Sequence, residues 1–274
     1  MELEAFQNWK RIVVKVGSST LTHETGMLNI RRVEKLVKVL ADLKNAGREI
    51  VLVSSGAIAV GFGKLGISKD RPEDTPSRQA AAAVGQCELM YIYDKLFSEY
   101  NHTVSQLLLT RDVIDSAKRL ENVVNTFDRL LTFGAIPVVN ENDTVSVEEL
   151  EFGDNDSLSA IVATICKAQA LVILSDIDGL YDADPRKNPS AKLIPVVEQL
   201  DETILRHAGG AGSQRGTGGM VTKLHAAQIA TEAGIQMVIC NGQDPENLYR
   251  LFDGEPVGTW FQAWERSACC GTAQ

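Results

Sequence analysis

Along this chain, short unbroken apolar runs take turns with longer stretches in which apolar residues recur every three or four positions. The run Arg11–Val16 (RIVVKV) predicts a β-strand ending at Gly17. In Asn29–Asn45, residues Ile30, Val33, Leu36, Val37, Leu40 and Leu43 fall on one helical stripe, and Gly47 supplies a C-terminal cap. The alternation continues with strands over Glu49–Val53, Thr103–Leu108, Ala135–Val139, Ala170–Leu174 and Ile235–Cys240. Helices are expected over Ala57–Leu65, Ser77–Tyr100, Ala117–Phe133, Asp154–Lys167, Gly219–Ala233 and Asp244–Phe252, and a last, edge strand over Thr259–Phe261. Strands that are continuously Val, Ile and Leu are buried on both faces, so the pattern predicts an α/β architecture with a parallel sheet covered by helices on either side. Ser68–Pro76 and Asp182–Pro195 read as surface excursions. The expectation is one domain over residues 1–261, with lobes of about 1–165 and 166–261 flanking a cleft, and a tail over 262–274.

In open parallel sheets, ligands bind beyond the carboxyl ends of the strands. Those ends are polar and glycine-containing here: Lys15-Val16-Gly17-Ser18-Ser19, Ser54-Ser55-Gly56-Ala57, Asn140-Glu141-Asn142-Asp143, Ser175-Asp176 and Asn241-Gly242. One such loop is ordinary punctuation, whereas five on one edge point to a site. The glycine-rich Gly209–Gly219 leads into a helix carrying Lys223. Glycines let backbone approach a phosphate, and a helix N-terminus offers free N–H donors. Asp154, Asn155 and Asp156 stand together at an expected helix start. One of them suffices as a cap, and three suit an ammonium group, Mg²⁺ or the orientation of a lysine.

Two phosphate motifs are set aside. Gly61-x-Gly63-x-x-Gly66 spells GxGxxG but follows a helix rather than a strand, so its glycines read as helix-end residues. No Gly-Lys-Ser/Thr of a Walker A loop, no protein-kinase HRD or DFG set and no GxSxG elbow is present. His23, His102, His207 and His225 have neither metal nor triad spacing and read as surface or packing residues.

Composition narrows the field. With 274 residues and 44% hydrophobic content the chain can bury a large core. Its net charge of −9 opposes a nucleic-acid or anionic-membrane partner, yet leaves room for local lysines to attract small anions. The five cysteines lack zinc spacing, and Cys166 and Cys240 end apolar runs as buried hydrophobes. With no apolar leader at the N-terminus and no span of membrane length, a cytoplasmic protein is expected, in which the sequons at Asn101 and Asn142 are chance matches.

Seven segments, in order, resemble the amino acid kinase family: VVKVGSS (13–19), SSGAIAVG (54–61), AAVGQ (82–86), VVNENDTV (138–145), GDNDSLSA (153–160), SDIDGLYDADPR (175–186) and GTGGMVTKLHAA (216–227). The resemblance covers about residues 10–261. NEND, GDND and GTGGMxTK together resemble the members that phosphorylate glutamate, and separate the chain from N-acetylglutamate, carbamate and uridylate kinases. It implies a three-layer α/β/α sandwich with a mainly parallel sheet of about eight strands. It also implies transfer of the γ-phosphoryl group of ATP, with Mg²⁺, to the γ-carboxylate of L-glutamate as the first step of proline synthesis. Proline as feedback inhibitor and a homo-oligomer, dimer or tetramer, are implied with it.

By the same resemblance, Lys15, Lys223 and Asp156 are the catalytic residues, the lysines flanking the transferred phosphoryl group and the acid orienting them. Ser55, Gly56, Asp143, Asp154 and Asn155 resemble the glutamate-binding set. Lys15, Ser175, Asp176 and Thr217, Gly218, Gly219, Met220, Val221, Thr222 and Lys223 resemble the ATP-binding segments, with no direct protein site for the metal. The PUA domain of many members is expected to be absent, because few residues follow Phe261. Two other readings stay open: a family member acting on a different acid or phosphate acceptor, and a catalytically silent amino-acid-binding regulator. Presence of Lys15, Lys223 and Asp156 together separates the last from an enzyme, since a sensor needs no pair of cations aimed at one phosphoryl group.

Overall fold

The structure, a computed structural model, describes residues 4–67, 72, 74–110, 112–145, 155–202, 204 and 219–264. Among these, strands β1 (Arg11–Val16), β2 (Glu49–Ser54), β3 (Val104–Leu109), β4 (Ile136–Glu141), β5 (Ala170–Ser175), β6 (Val196–Val197), β7 (Gln236–Asn241) and β8 (Thr259–Phe261) form one sheet. Their order is β3-β4-β2-β1-β5-β7-β8-β6. Pairings from β3 across to β7 are parallel, and β8 is antiparallel to β7. The expectation of a mainly parallel sheet of about eight strands is met. Thr259–Phe261 is a strand as expected, but it is not the edge. Val196–Val197, too short to show a period, pairs with it on the outside.

Residues alternate between the two faces because successive strand side chains point oppositely. Ile12, Val14 and Val16 of β1 join Ile50, Leu52, Val172 and Leu174 in one core, beneath the Ile30–Asn45 and Thr75–Ser98 helices. Val13 joins Val51, Val53, Leu171 and Ile173 in the other, beneath the Ala117–Thr132, Asn155–Ile165 and Met220–Glu232 helices. Two apolar layers around one sheet make the α/β/α sandwich. Lys15 shares a face with Val13, so the pleat itself turns this lysine towards the Asn155–Ile165 helix.

The expected helices are present, with ends moved by a few residues. The Ile30–Asn45 helix is capped by Asn29, whose side chain accepts from the Arg32 N–H at 3.2 Å. Gly47 follows it with φ +94°, the left-handed conformation expected of a C-terminal cap. The Asn247–Phe252 helix starts later than expected, because Asp244 and Pro245 are spent on the turn before it; Asp244 Oδ1 accepts from the Glu246 N–H at 3.2 Å. Asp182–Pro195 is a surface excursion, pinned by the Tyr181–Leu193 bridge. Ser68–Pro76 lies largely outside the described residues.

The set-aside GxGxxG has a packing explanation. A side chain at Gly61 would overlap the Ala81 carbonyl of the neighbouring helix, and one at Gly85 would overlap the Ala57 carbonyl. These two glycines let the Ala57–Lys64 and Thr75–Ser98 helices cross at backbone contact, while Gly66 turns the chain at φ +75°. At the far end of the sheet, Phe6 packs edge-on against Trp9 (4.7 Å) and Trp260 (5.0 Å), tying the Glu4–Gln7 helix to β8.

Candidate active site

Strand order reverses direction at β1: the chain moves from β1 to β2 on one side and later enters β5 on the other. The crevice beyond the ends of β1 and β5 is therefore where an open α/β sheet binds ligands. Lys15 stands opposite Ile173 of β5, one residue before β1 ends. Its ammonium lies 2.5 Å from Asp156 Oδ1. On the other oxygen, Oδ2, Lys223 Nζ lies at 3.1 Å and the Thr222 hydroxyl donates at 3.0 Å. Asp156 is fully shut from solvent, and Lys15 and Lys223 are 7% and 5% exposed. Burial by itself would raise the Asp156 pKa, but the adjacent charges of Lys15 and Lys223 outweigh it and hold the carboxyl below its ordinary 3.8. Two cations on one carboxylate leave the cluster with net positive charge at the mouth of an acidic protein.

The elements explain how three residues so distant in sequence meet. Lys15 comes from the β1 pleat, Asp156 from the first turn of the Asn155–Ile165 helix, and Lys223 from the first turns of Met220–Glu232. The last of these helices starts at Gly219, which has no side chain with which to cap its leading N–H groups.

Beside the lysines runs a chain of amides. Asn155 Nδ2 donates to Ser55 Oγ at 2.8 Å and to Asn140 Oδ1 at 2.9 Å. Asn140 Nδ2 in turn donates to Gln86 Oε1 at 3.0 Å. Gly56 adopts φ +101° at the start of the next helix, a conformation that suits glycine, with Ser18 directly beneath it. Behind Ser55, the fully buried Tyr93 hydroxyl shares a 2.9 Å hydrogen bond with Ser54 Oγ, and burial pushes the Tyr93 pKa up.

Of the residues singled out from sequence, Lys15, Asp156, Lys223 and Thr222 meet in the ionic cluster, and Ser55, Gly56 and Asn155 lie together beside it. Asp143 sits half-buried on the turn after β4. Ser175 ends β5, its hydroxyl donating to Asp176 Oδ1 at 3.1 Å. Gly219, Met220 and the exposed Val221 lead into Lys223. Asp154, Thr217 and Gly218 lie outside the described residues. Asn140 and Gln86 stand within VVNENDTV and AAVGQ without an expected role of their own; a glutamine within an apolar helical run is the available signal. Among the described residues, no group of three or more His, Cys, Asp or Glu side chains is placed to hold a metal, and no helix is long and apolar enough to cross a membrane.

A mainly parallel sheet between two helical layers, with paired buried lysines on one carboxylate at its switch point, defines an α/β/α protein with its ligand crevice at the strand ends. The chain belongs to the amino acid kinase family, whose family model matches residues 10–241. It is 56% identical over 264 residues to a protein named glutamate 5-kinase from Clostridium perfringens, covering 95% of this chain and 98% of the relative. It is 54% identical to glutamate 5-kinase from Carboxydothermus hydrogenoformans, covering 94% of this chain and 69% of the relative. Among solved structures it resembles T. acidophilum isopentenyl phosphate kinase, with a TM-score of 0.64 and 16% identity over 92% of this chain and 100% of that one. UMP kinase from Bacillus anthracis is equally similar, with a TM-score of 0.64 and 19% identity over 93% of this chain and 96% of that one. At such identity these two speak for the fold alone.

Proposed function

We propose that this chain transfers the γ-phosphoryl group of ATP to the γ-carboxylate of L-glutamate, giving γ-glutamyl phosphate, the first step of proline biosynthesis. The observation that carries the reading is the buried Lys15–Asp156–Lys223 cluster. A carboxylate oxygen of glutamate forms a bond to the γ-phosphorus as the bond to the bridging oxygen breaks, and ADP leaves. The attacking carboxylate is ionised at neutral pH, so no general base is required. What the transfer requires is positioning and stabilisation of charge on the equatorial phosphoryl oxygens. Lys15, on the glutamate side, and Lys223, on the nucleotide side, supply that charge. Asp156, held unprotonated, aims both and contacts neither substrate.

Ser55, Gly56, Asn155, Asp143 and Asp154 bind glutamate, with Asp154 helping to hold its ammonium group. Ser175, Asp176 and the segment Thr217–Lys223 bind ATP. On this reading residues 1–165 serve glutamate and 166–261 serve the nucleotide. Mg²⁺ accompanying ATP would supply positive charge that offsets part of the charge on the phosphates. The family resemblance supports feedback inhibition by proline, a homo-oligomeric assembly and a place in the cytoplasm, where both substrates occur.

The test is an assay with ATP, Mg²⁺, hydroxylamine and one acceptor at a time. Hydroxamate forms with L-glutamate and not with N-acetylglutamate or aspartate. Folded protein that yields none with glutamate overturns the proposal. The regulator reading is disfavoured by retention of both lysines, which a mere amino-acid sensor would not use.

A further inference from the structure

The amide chain has a direction, and the direction decides what the crevice offers. Asn155 spends both hydrogens of its Nδ2, one on Ser55 Oγ and one on Asn140 Oδ1. Asn140 must therefore turn its own Nδ2 the other way, where Gln86 Oε1 accepts it. Turning Asn140 over alone would set nitrogen against nitrogen at Asn155 and oxygen against oxygen at Gln86. The whole chain thus runs in one sense or in the opposite one. In the observed sense Ser55 Oγ is an acceptor towards Asn155, so its proton is available to donate outward. Asn155 Oδ1, making no hydrogen bond to a described residue, is available as an outward acceptor. In the opposite sense Ser55 would spend its proton on Asn155, and the offered pair would be inverted.

We propose that Gln86 is a positioning residue: by accepting from Asn140 Nδ2 it holds Asn140 Oδ1 towards Asn155, so that in the observed sense of the chain Ser55 presents a donor and Asn155 an acceptor to the substrate. A donor beside an acceptor complements the carboxylate and ammonium groups of an amino acid. Gln86 and Asn140 are 9% and 2% exposed, so water does not readily substitute for either partner. Gln86 reaches the chain from the Thr75–Ser98 helix, whose backbone contact through Gly61 and Gly85 sets its distance.

The assignment of the substrate rests on the proposed function, and the experiment separates the two. Gln86→Met keeps the volume and removes the acceptor; Gln86→Glu keeps an acceptor at the assay pH of about 8, where a carboxylate cannot donate. With glutamate as acceptor in the hydroxamate assay, Gln86→Met raises the KM for glutamate about 5- to 30-fold and leaves the KM for ATP within about 2-fold. Gln86→Glu recovers most of that loss. In parallel, hydrogen exchange of the Asn155 side-chain amide, followed by NMR without substrate, is slow in the parent and in Gln86→Glu and fast in Gln86→Met. An active parent whose glutamate KM is unmoved by Gln86→Met, or equal impairment by Met and Glu, overturns the proposal. If the parent makes no hydroxamate, the proposed function falls, and the amide exchange alone upholds or overturns the role of Gln86.

Discussion

Lys15 Nζ lies 2.5 Å from Asp156 Oδ1, joining the end of β1 to the first turn of the helix packed over it. Both side chains are shut from solvent, so each is the other's replacement for water. Asp156→Asn leaves two buried ammonium groups without a counter-charge. Breaking a buried ion pair from one side costs about 3–5 kcal/mol. At a few degrees per kcal/mol for a chain of this size, the expected fall in Tm is on the order of 10 °C. In the same variant kcat falls about 100-fold or more, because both lysines lose their aim. Calorimetry and the hydroxamate assay check the two halves.

The pH dependence of that contribution has a definite sign. The folded-state pKa of Asp156 is depressed below 3.8 by Lys15 and Lys223 acting against burial. A group with a depressed folded pKa stabilises fully above its unfolded pKa and loses this as pH falls through the folded value. The Tm difference between the parent and Asp156→Asn is therefore flat from about pH 5 to 8 and shrinks only below about pH 4. A difference that already shrinks between pH 7 and 5 would contradict the assignment.

Lys223→Ala lowers kcat about 100-fold or more, with a smaller effect on the KM for glutamate, as expected for loss of a group acting mainly in the transition state. Lys223→Arg restores little, since a planar fork does not replace a point charge 3.1 Å from Asp156. Steady-state kinetics with varied glutamate read both; an unchanged kcat in Lys223→Ala removes this residue from the chemistry.

Much of this was readable from residue order, and what was not has physical reasons. Unbroken Val/Ile/Leu runs marked β1, β2, β4, β5 and β7, because strands buried on both faces tolerate little else. Their polar final residues, such as Ser54 and Asn241, lie beyond the expected strand ends because they still pair in the ladder after the apolar run has stopped. Val196–Val197 exists as a strand only because β8 lies beside it, a contact that no local pattern encodes. Lys15, Asp156 and Lys223 stood out as residues, yet their meeting is a property of the sheet order, and resemblance rather than spacing brought them together. Gln86 stands in the apolar part of its helix, where its position reads as core, and a lone glutamine there is its only signal.

Gly85→Ala introduces a side chain that overlaps the Ala57 carbonyl, and neither backbone can yield without separating the two helices. Overpacking of this kind costs about 1–3 kcal/mol. Thermal unfolding should show the loss, and the KM for glutamate should rise as well, because the displaced helix begins at Gly56.

Cys166 and Cys240 are buried, and burial pushes each thiol up to about 12. Thiolate is the reactive form, so neither is modified by iodoacetamide at about pH 8 in the native protein. Cys87, exposed on its helix, is modified under the same conditions. Peptide mass mapping distinguishes the three, and all react once the chain is unfolded.

The far side of the sheet carries a consequence for synthesis on the ribosome. Among the described residues β6 has its ladder partner only in β8, and Phe6 of the first helix packs edge-on against Trp260 of that same strand. Until residues 259–261 emerge, β7 presents an unpaired edge and both Val196–Val197 and the Glu4–Gln7 helix lack their seat. The nascent chain can thus bring its lysines to the crevice before Thr259–Phe261 is made, whereas its sheet is sealed and its Glu4–Gln7 helix seated only once that strand is in place.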